Sequence, residues 1–149
     1  MVDRITVEHR SWNMSKIKGK ETKIEVKVRS YLFKNGFRFR KNDKRLPGKP
    51  DVVLPKYKTV IFIHGCFWHR HQGCKLTTTP KTRTEFWINK FKKNVENDKK
   101  HQRELEEAGW KVLIIWECEI EKKFEETMTK ITNELKDAYW INNKVLVKE

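Results

Sequence analysis

Three of the five histidines and two of the three cysteines of this chain fall between His64 and Cys74. Cys66, His71 and Cys74, with Cys118 far downstream, form a Cys3His set. Thiolate and imidazole donors favour zinc over magnesium, and four protein ligands with no open position make such a site structural. That assignment uses every cysteine; three unlinked buried thiols are the alternative. His64 and His69 remain, and imidazole titrates near neutrality, so either can take a proton from water or give one to a leaving oxygen. Asp51 opens a short apolar stretch just upstream. A carboxylate with further oxygens can hold a hard divalent cation that polarises a phosphate and activates water, although Pro-Asp at a strand start is often only a turn. Asp98 is a carboxylate able to orient one of the imidazoles.

These groups need elements to bring them together. Ile24, Val28, Tyr31 and Leu32 recur at helical spacing, predicting a helix over Thr22–Asn35 that stops at Asn35-Gly36. Within it, Glu25 follows Thr22 at capping-box spacing. Phe37–Lys41 alternates Phe and Arg, as in a strand with one cationic face. After the turn Leu46–Pro50, Asp51–Leu54 predicts a short strand closed by Pro55 and Lys56. Lys58–His64 predicts an apolar strand central in a sheet. If these two form a hairpin, Asp51 lies beside the histidine end of the second. Glu85–Ala108 predicts the longest helix, with Trp87, Ile88, Phe91, Val95 and Leu105 inward and Phe86 in the core. Lys111–Trp116 predicts another buried strand and Glu119–Lys136 a last amphipathic helix; the residues after Trp140 are ambiguous. The order predicts an α/β fold, a mixed sheet flanked by helices. No glycine-rich phosphate loop follows any strand, which counts against a nucleotide-binding doubly wound fold.

The partner is indicated by charge. The 149 residues carry a formal net charge of +14, and six tryptophans and eight phenylalanines set the chain apart from a disordered basic tail. Neutralising phosphates releases their counterions, so a nucleic acid is the expected ligand. No apolar run suits a membrane span or a secretory leader, and three cysteines do not suggest a disulfide framework, so an intracellular protein is expected. Residues 1–20 are basic yet contain Trp12, Met14 and Ile17, as in a segment that orders on DNA. Residues 21–149 then form one domain. The adjacent Phe67-Trp68, between a cysteine and a histidine, cannot both point inward easily, and such aromatics can wedge between bases.

The chain resembles the very short patch repair (Vsr) endonucleases, bacterial enzymes that nick T:G mismatches. The resemblance is carried by Arg10-Ser11-Trp12-Asn13-Met14, Thr22-Lys23-Ile24-Glu25, Leu46-Pro47-Gly48-Lys49-Pro50-Asp51, Val60–His69, Thr82–Trp87, Lys93–Asp98 and Gly109–Cys118. It implies a restriction-endonuclease-like fold and catalytic Mg2+ on Asp51 and the main-chain carbonyl of Ile63. His69 would be a general base oriented by Asp98, His64 a second imidazole at the scissile phosphate and Glu25 an auxiliary acid. Structural Zn2+ would sit on Cys66, His71, Cys74 and Cys118. Phe67, Trp68 and Trp87 would wedge from the major groove and Met14 from the minor groove. The substrate would be double-stranded DNA with a T:G mismatch left by deamination of 5-methylcytosine. A cytosine-5 DNA methyltransferase would be a functional partner and mismatch-repair proteins further ones. A monomer in the bacterial cytoplasm, at the nucleoid, is implied. Ile63 stands where threonine is usual, which a carbonyl ligand tolerates, and one residue is added before Cys74. A restriction-type enzyme cutting matched DNA and a non-catalytic zinc DNA-binding module are the competing functions.

Overall fold

The computed structural model describes residues 23–147, with side chains through residue 141. The basic segment 1–20 with Met14, and the expected cap Thr22, lie outside the described residues. The first helix, α1, spans residues 23–34 and buries Ile24, Val28 and Leu32. It ends as its sequence predicts: Gly36 takes φ +85°, and the Phe37 N–H returns to the Leu32 carbonyl at 2.9 Å. Strand β1 (Arg40–Lys41) is shorter than the Phe/Arg alternation predicts. Strands β2 (Val52–Leu54) and β3 (Thr59–His64) follow, joined by a 3-10 turn at Pro55–Tyr57. Helix α2 (Thr84–Glu107) crosses to β4 (Lys111–Trp116). The predicted Glu119–Lys136 helix is instead two. Helix α3 (Glu117–Lys122) stops at Lys123, whose φ/ψ of −138°/48° is not helical, and α4 (Phe124–Val147) runs on through the ambiguous end.

The four strands form one mixed sheet in the order β1-β2-β3-β4, with β1, β2 and β3 antiparallel and β3 and β4 parallel. Alternation sorts the side chains onto two buried faces. Val52, Leu54, Ile61, Ile63 and Ile115 pack with α1, α3 and α4 through Val28, Ile120 and Met128. Val53, Val60 and Phe62 pack on the other side with Leu105 of α2. That two-sided burial explains why β3 reads as a continuous apolar run. No described helix is long and apolar enough to cross a membrane.

Helix α2 differs from the expected apolar stripe. Phe91 and Leu105 are its buried residues, whereas Ile88 and Phe86 are 53% and 46% exposed. Phe86 instead lies under the Arg83 guanidinium, 4.6 Å from its ring centre. The face turned to the sheet follows Trp87, Phe91, Asn94, Asp98, His101 and Leu105, at helical spacing. Its middle is polar because the cluster described next lies there. His101 packs so closely on the turn before β2 that a Cβ on Gly48 (φ +74°) would come within 2.9 Å of it, which accounts for a glycine there.

Candidate active site and metal centre

The hairpin sets Asp51 against the end of β3. Val52 pairs with Ile61, so the chain immediately before Val52 lies beside the strand's last residues. There the Ile63 N–H donates to Asp51 Oδ2 at 2.6 Å. The Asp51 carbonyl accepts from Arg29 Nη2 at 3.1 Å and from the Asn42 N–H at 3.3 Å. Arg29 also pairs with Glu25 at 3.5 Å across one turn of α1. Burial raises the Asp51 pKa, against the Ile63 N–H and the Arg29 and His69 charges. Burial and the Asp51 carboxylate raise that of Glu25, against Arg29. Two partly buried acids, of which Asp51 opposes the ionisation of Glu25, fit a divalent cation, which would favour both carboxylates.

His64 and His69 stack face to face, ring centres 3.9 Å apart and planes 4° apart. His69 Nδ1 lies 2.7 Å from Asp98 Oδ2, so α2 supplies the carboxylate that holds this ring. With Nδ1–H donating to Asp98, Nε2 is free to accept a proton. His64 is buried, and its Nδ1 has no hydrogen-bond partner among the described residues. Burial first, then His69, lower its pKa to about 3, with Asp98 opposing. His64 is therefore a neutral ring at physiological pH, able to donate a hydrogen bond but not to serve as a cation.

The sign of that shift makes a prediction for the metal-free protein. A histidine with a lowered folded pKa takes its proton preferentially when unfolded, so stability falls as pH drops below the unfolded value of 6.5. At pH 5 the loss is about 2 kcal/mol. Urea denaturation at pH 7.5 and 5.0 should show it in the wild type, and His64→Asn should lack that component.

The parallel register explains the candidate metal centre. His64 pairs with Trp116, so Cys66 and Cys118, each two residues further on, leave the sheet at the same end. Cys118 lies in the first turn of α3, and neighbouring Glu117 is buried with Oε1 accepting the Cys66 N–H at 3.1 Å. His71 Nδ1 is 3.6 Å from Cys66 Sγ and 3.4 Å from Cys118 Sγ. With Cys74, the donor atoms lie within 4.8 Å of one another. A tetrahedral zinc, with bonds of about 2.3 Å to sulfur and about 2.0 Å to nitrogen, separates neighbouring sulfur and nitrogen ligands by roughly 3.5 Å. The cluster fits that ion. Burial in chief holds the Cys66 thiol's pKa high, so an ion bound there would displace a proton.

Between these ligands the loop carries the aromatic pair. Phe67 is buried and meets Phe91 and Trp68 edge to face. Trp68 is half-buried, its Nε1–H without an acceptor among the described residues, and lies 6.3 Å from the Trp87 ring. Sequence reasoning missed several groups that hold this loop. Asn94 donates to the Trp68 carbonyl at 3.3 Å. Arg70, at φ +55°, donates to the Phe67 and Thr78 carbonyls and covers the Phe91 ring at 4.0 Å. Trp116 stacks on His71 at 4.2 Å and meets His64 edge-on at 5.2 Å, so one indole touches both the metal cluster and the imidazole pair. The polar stripe on α2 was the available signal for Asn94; nothing in the pattern marked Trp116.

The mixed sheet gathers a carboxylate and paired imidazoles at the end of a central strand, an arrangement able to hold a divalent cation and move a proton, as hydrolysis of a phosphodiester requires. The model of the DNA mismatch endonuclease Vsr family matches residues 2–76. The chain belongs to that family, is a DNA endonuclease, and has the restriction-endonuclease-like fold of the family. It is 53% identical to the type II nicking enzyme V.NmeAIP of Neisseria meningitidis over 93% of this chain and 99% of that one. It is 46% identical to the DNA mismatch endonuclease Vsr of Escherichia coli over 89% and 83%. With the type II nicking enzyme V.XorIIP of Xanthomonas oryzae it shares 42% over 80% and 88%.

Proposed function

We propose that this endonuclease nicks one strand 5′ of the thymine in a T:G mismatch, as left by deamination of 5-methylcytosine, and so starts very short patch repair. The observation that carries the reading is the convergence of Asp51, His64, His69 and Asp98 at the end of β3. The mismatch specificity rests on the E. coli relative, and the cutting of one strand also on relatives described as nicking enzymes.

Asp51 and the Ile63 carbonyl would hold Mg2+, which when bound polarises the phosphate and makes water more acidic. The chain's own residues do the rest. His69 Nε2 accepts the proton of the attacking water, and Asp98 stabilises the imidazolium that results. Neutral His64 donates to a non-bridging phosphate oxygen without placing a second charge against His69. Glu25, with its raised pKa, accepts a hydrogen bond from water beside Asp51. Cys66, His71, Cys74 and Cys118 would hold zinc, which would fix the loop that carries Phe67, Trp68 and His69. Trp68 and Trp87 are half-exposed and enter the major groove first, with Phe67 behind them. Residues 1–20 add DNA contacts, Met14 from the minor groove, and residues 21–149 form the endonuclease domain. The enzyme acts as a monomer on the bacterial nucleoid in the cytoplasm, downstream of a cytosine-5 methyltransferase and alongside mismatch-repair proteins.

His69→Ala should lower the single-turnover rate by about 10²–10⁴-fold, the usual contribution of a general base. Asp98→Asn should cost about 10–100-fold through the lost orientation of His69. Equal rates for wild type and His69→Ala would remove the base from the mechanism. The strand and position of the cut are tested by mapping products from an end-labelled T:G duplex with magnesium and with chelator. The reading expects one magnesium-dependent break, 5′ of the mismatched thymine. Breaks in both strands, or undiminished cutting under chelation, would contradict it.

A further inference from the structure

The Phe/Arg alternation around β1 has no part in the chemistry above, yet it forms one wall of a groove whose other wall is α1. Arg29, Phe33, Lys34, Arg38 and Lys41 line it, and among the described lining residues there is no carboxylate, Glu25 pairing with Arg29 from beside it. Lys34, Arg38 and Lys41 are exposed, and Phe33 is 58% exposed with the Arg38 guanidinium 4.3 Å over its ring. Arg29 joins this groove to the active site. Its side chain is only 12% exposed, and Nη2 reaches the Asp51 carbonyl at 3.1 Å. Its Nε–H is buried without an acceptor among the described residues. The same guanidinium pairs with Glu25 at 3.5 Å and donates to the Asn42 side-chain oxygen at 3.3 Å.

We propose that the α1–β1 groove is a binding site for backbone phosphates of the DNA, adjoining the phosphate cut at Asp51. Several exposed cations, and the direct contact of Arg29 in the groove with the Asp51 main chain, together fit a phosphodiester track. The groove would then seat the substrate on the α1 side of Asp51, while His64, His69 and Asp98 face it from the α2 side. The placement rests on Asp51 marking the cut, and the test separates the two claims.

Binding of a fluorescent T:G duplex would be measured over a range of salt concentrations on an Asp51→Asn background. If Lys34 and Lys41 each neutralise one phosphate, Lys34→Ala/Lys41→Ala should reduce the slope of log K against log salt by about 1.8. Lys34→Arg/Lys41→Arg should keep it, because the charge is retained. Lys130→Ala/Lys136→Ala, on α4, should leave the slope unchanged. An unchanged slope in the alanine pair at the groove, or an equal fall in the α4 pair, would overturn the groove as a specific track. Residual nicking by the Asp51→Asn background at the wild-type rate would instead sink the assignment of Asp51 and leave the groove result readable.

Discussion

Replacing Asp51 with asparagine is expected to lower single-turnover nicking by about 10³-fold or more while the metal-free protein becomes more stable. Activity falls because Asp51 is the carboxylate fixed at the end of β3, and an amide cannot replace its charge toward a cation. Stability rises because burial opposes that charge in the folded state. The sign follows from linkage: an acid with a raised folded pKa costs stability once ionised, and the cost is relieved as pH falls through the folded pKa. Asparagine removes the charge at every pH and can still accept the Ile63 N–H. The thermal midpoint of the variant should therefore exceed that of the wild type at pH 7, with the gap closing in acid. A variant as unstable as it is inactive would show that Asp51 serves the fold rather than the reaction.

Loss of the zinc proposed for the Cys3His cluster should have the second largest effect, through position rather than chemistry. Cys118→Ser removes the proposed ligand supplied by α3, leaving the sheet and both of its cores intact. The far-UV spectrum should change little, while protein-bound zinc falls and the loop between Gly65 and Thr79 becomes open to protease. His69, Phe67 and Trp68 all lie in that loop, and a displacement of about 1 Å at reacting groups can cost roughly 10²-fold. Nicking should fall by about 10²–10³-fold, without the gain in stability expected of Asp51→Asn. Metal analysis checks the premise, and full activity in a zinc-free Cys118→Ser protein would contradict it.

How far the residues announced this arrangement depended on the kind of signal each carried. β3 was legible because burial on both faces leaves it an uninterrupted apolar run; β4 was legible as a strand, but it lies at the sheet edge and is half-buried apart from Ile115, not buried as expected. The sequence pattern also brought Asp51 to the histidine end, since a short strand, a Pro turn and a second strand make a hairpin. α2 was harder. Its inward face carries Asn94, Asp98 and His101 where an apolar stripe is expected, so Ile88 and Phe86 were wrongly turned inward. The division of α3 from α4 was also hidden, because Lys123 is a good helix former and its non-helical backbone is imposed by context. Trp116 showed the opposite limit. Its place in β4 was predictable, but its two ring contacts depend on where the loop after β3 folds back.

The measurement that bears most directly on the proposed function is the single-turnover nicking rate with magnesium on two duplexes of identical flanking sequence. One carries T:G and the other T:A at the same position, in the context methylated by a cytosine-5 methyltransferase. A nick 5′ of the thymine, faster on T:G by at least about 10²-fold, is the predicted result, because Trp68 and Trp87 can enter a mismatched step more cheaply than a paired one. Equal rates on the two duplexes would contradict the mismatch reading and leave an endonuclease that reads matched DNA.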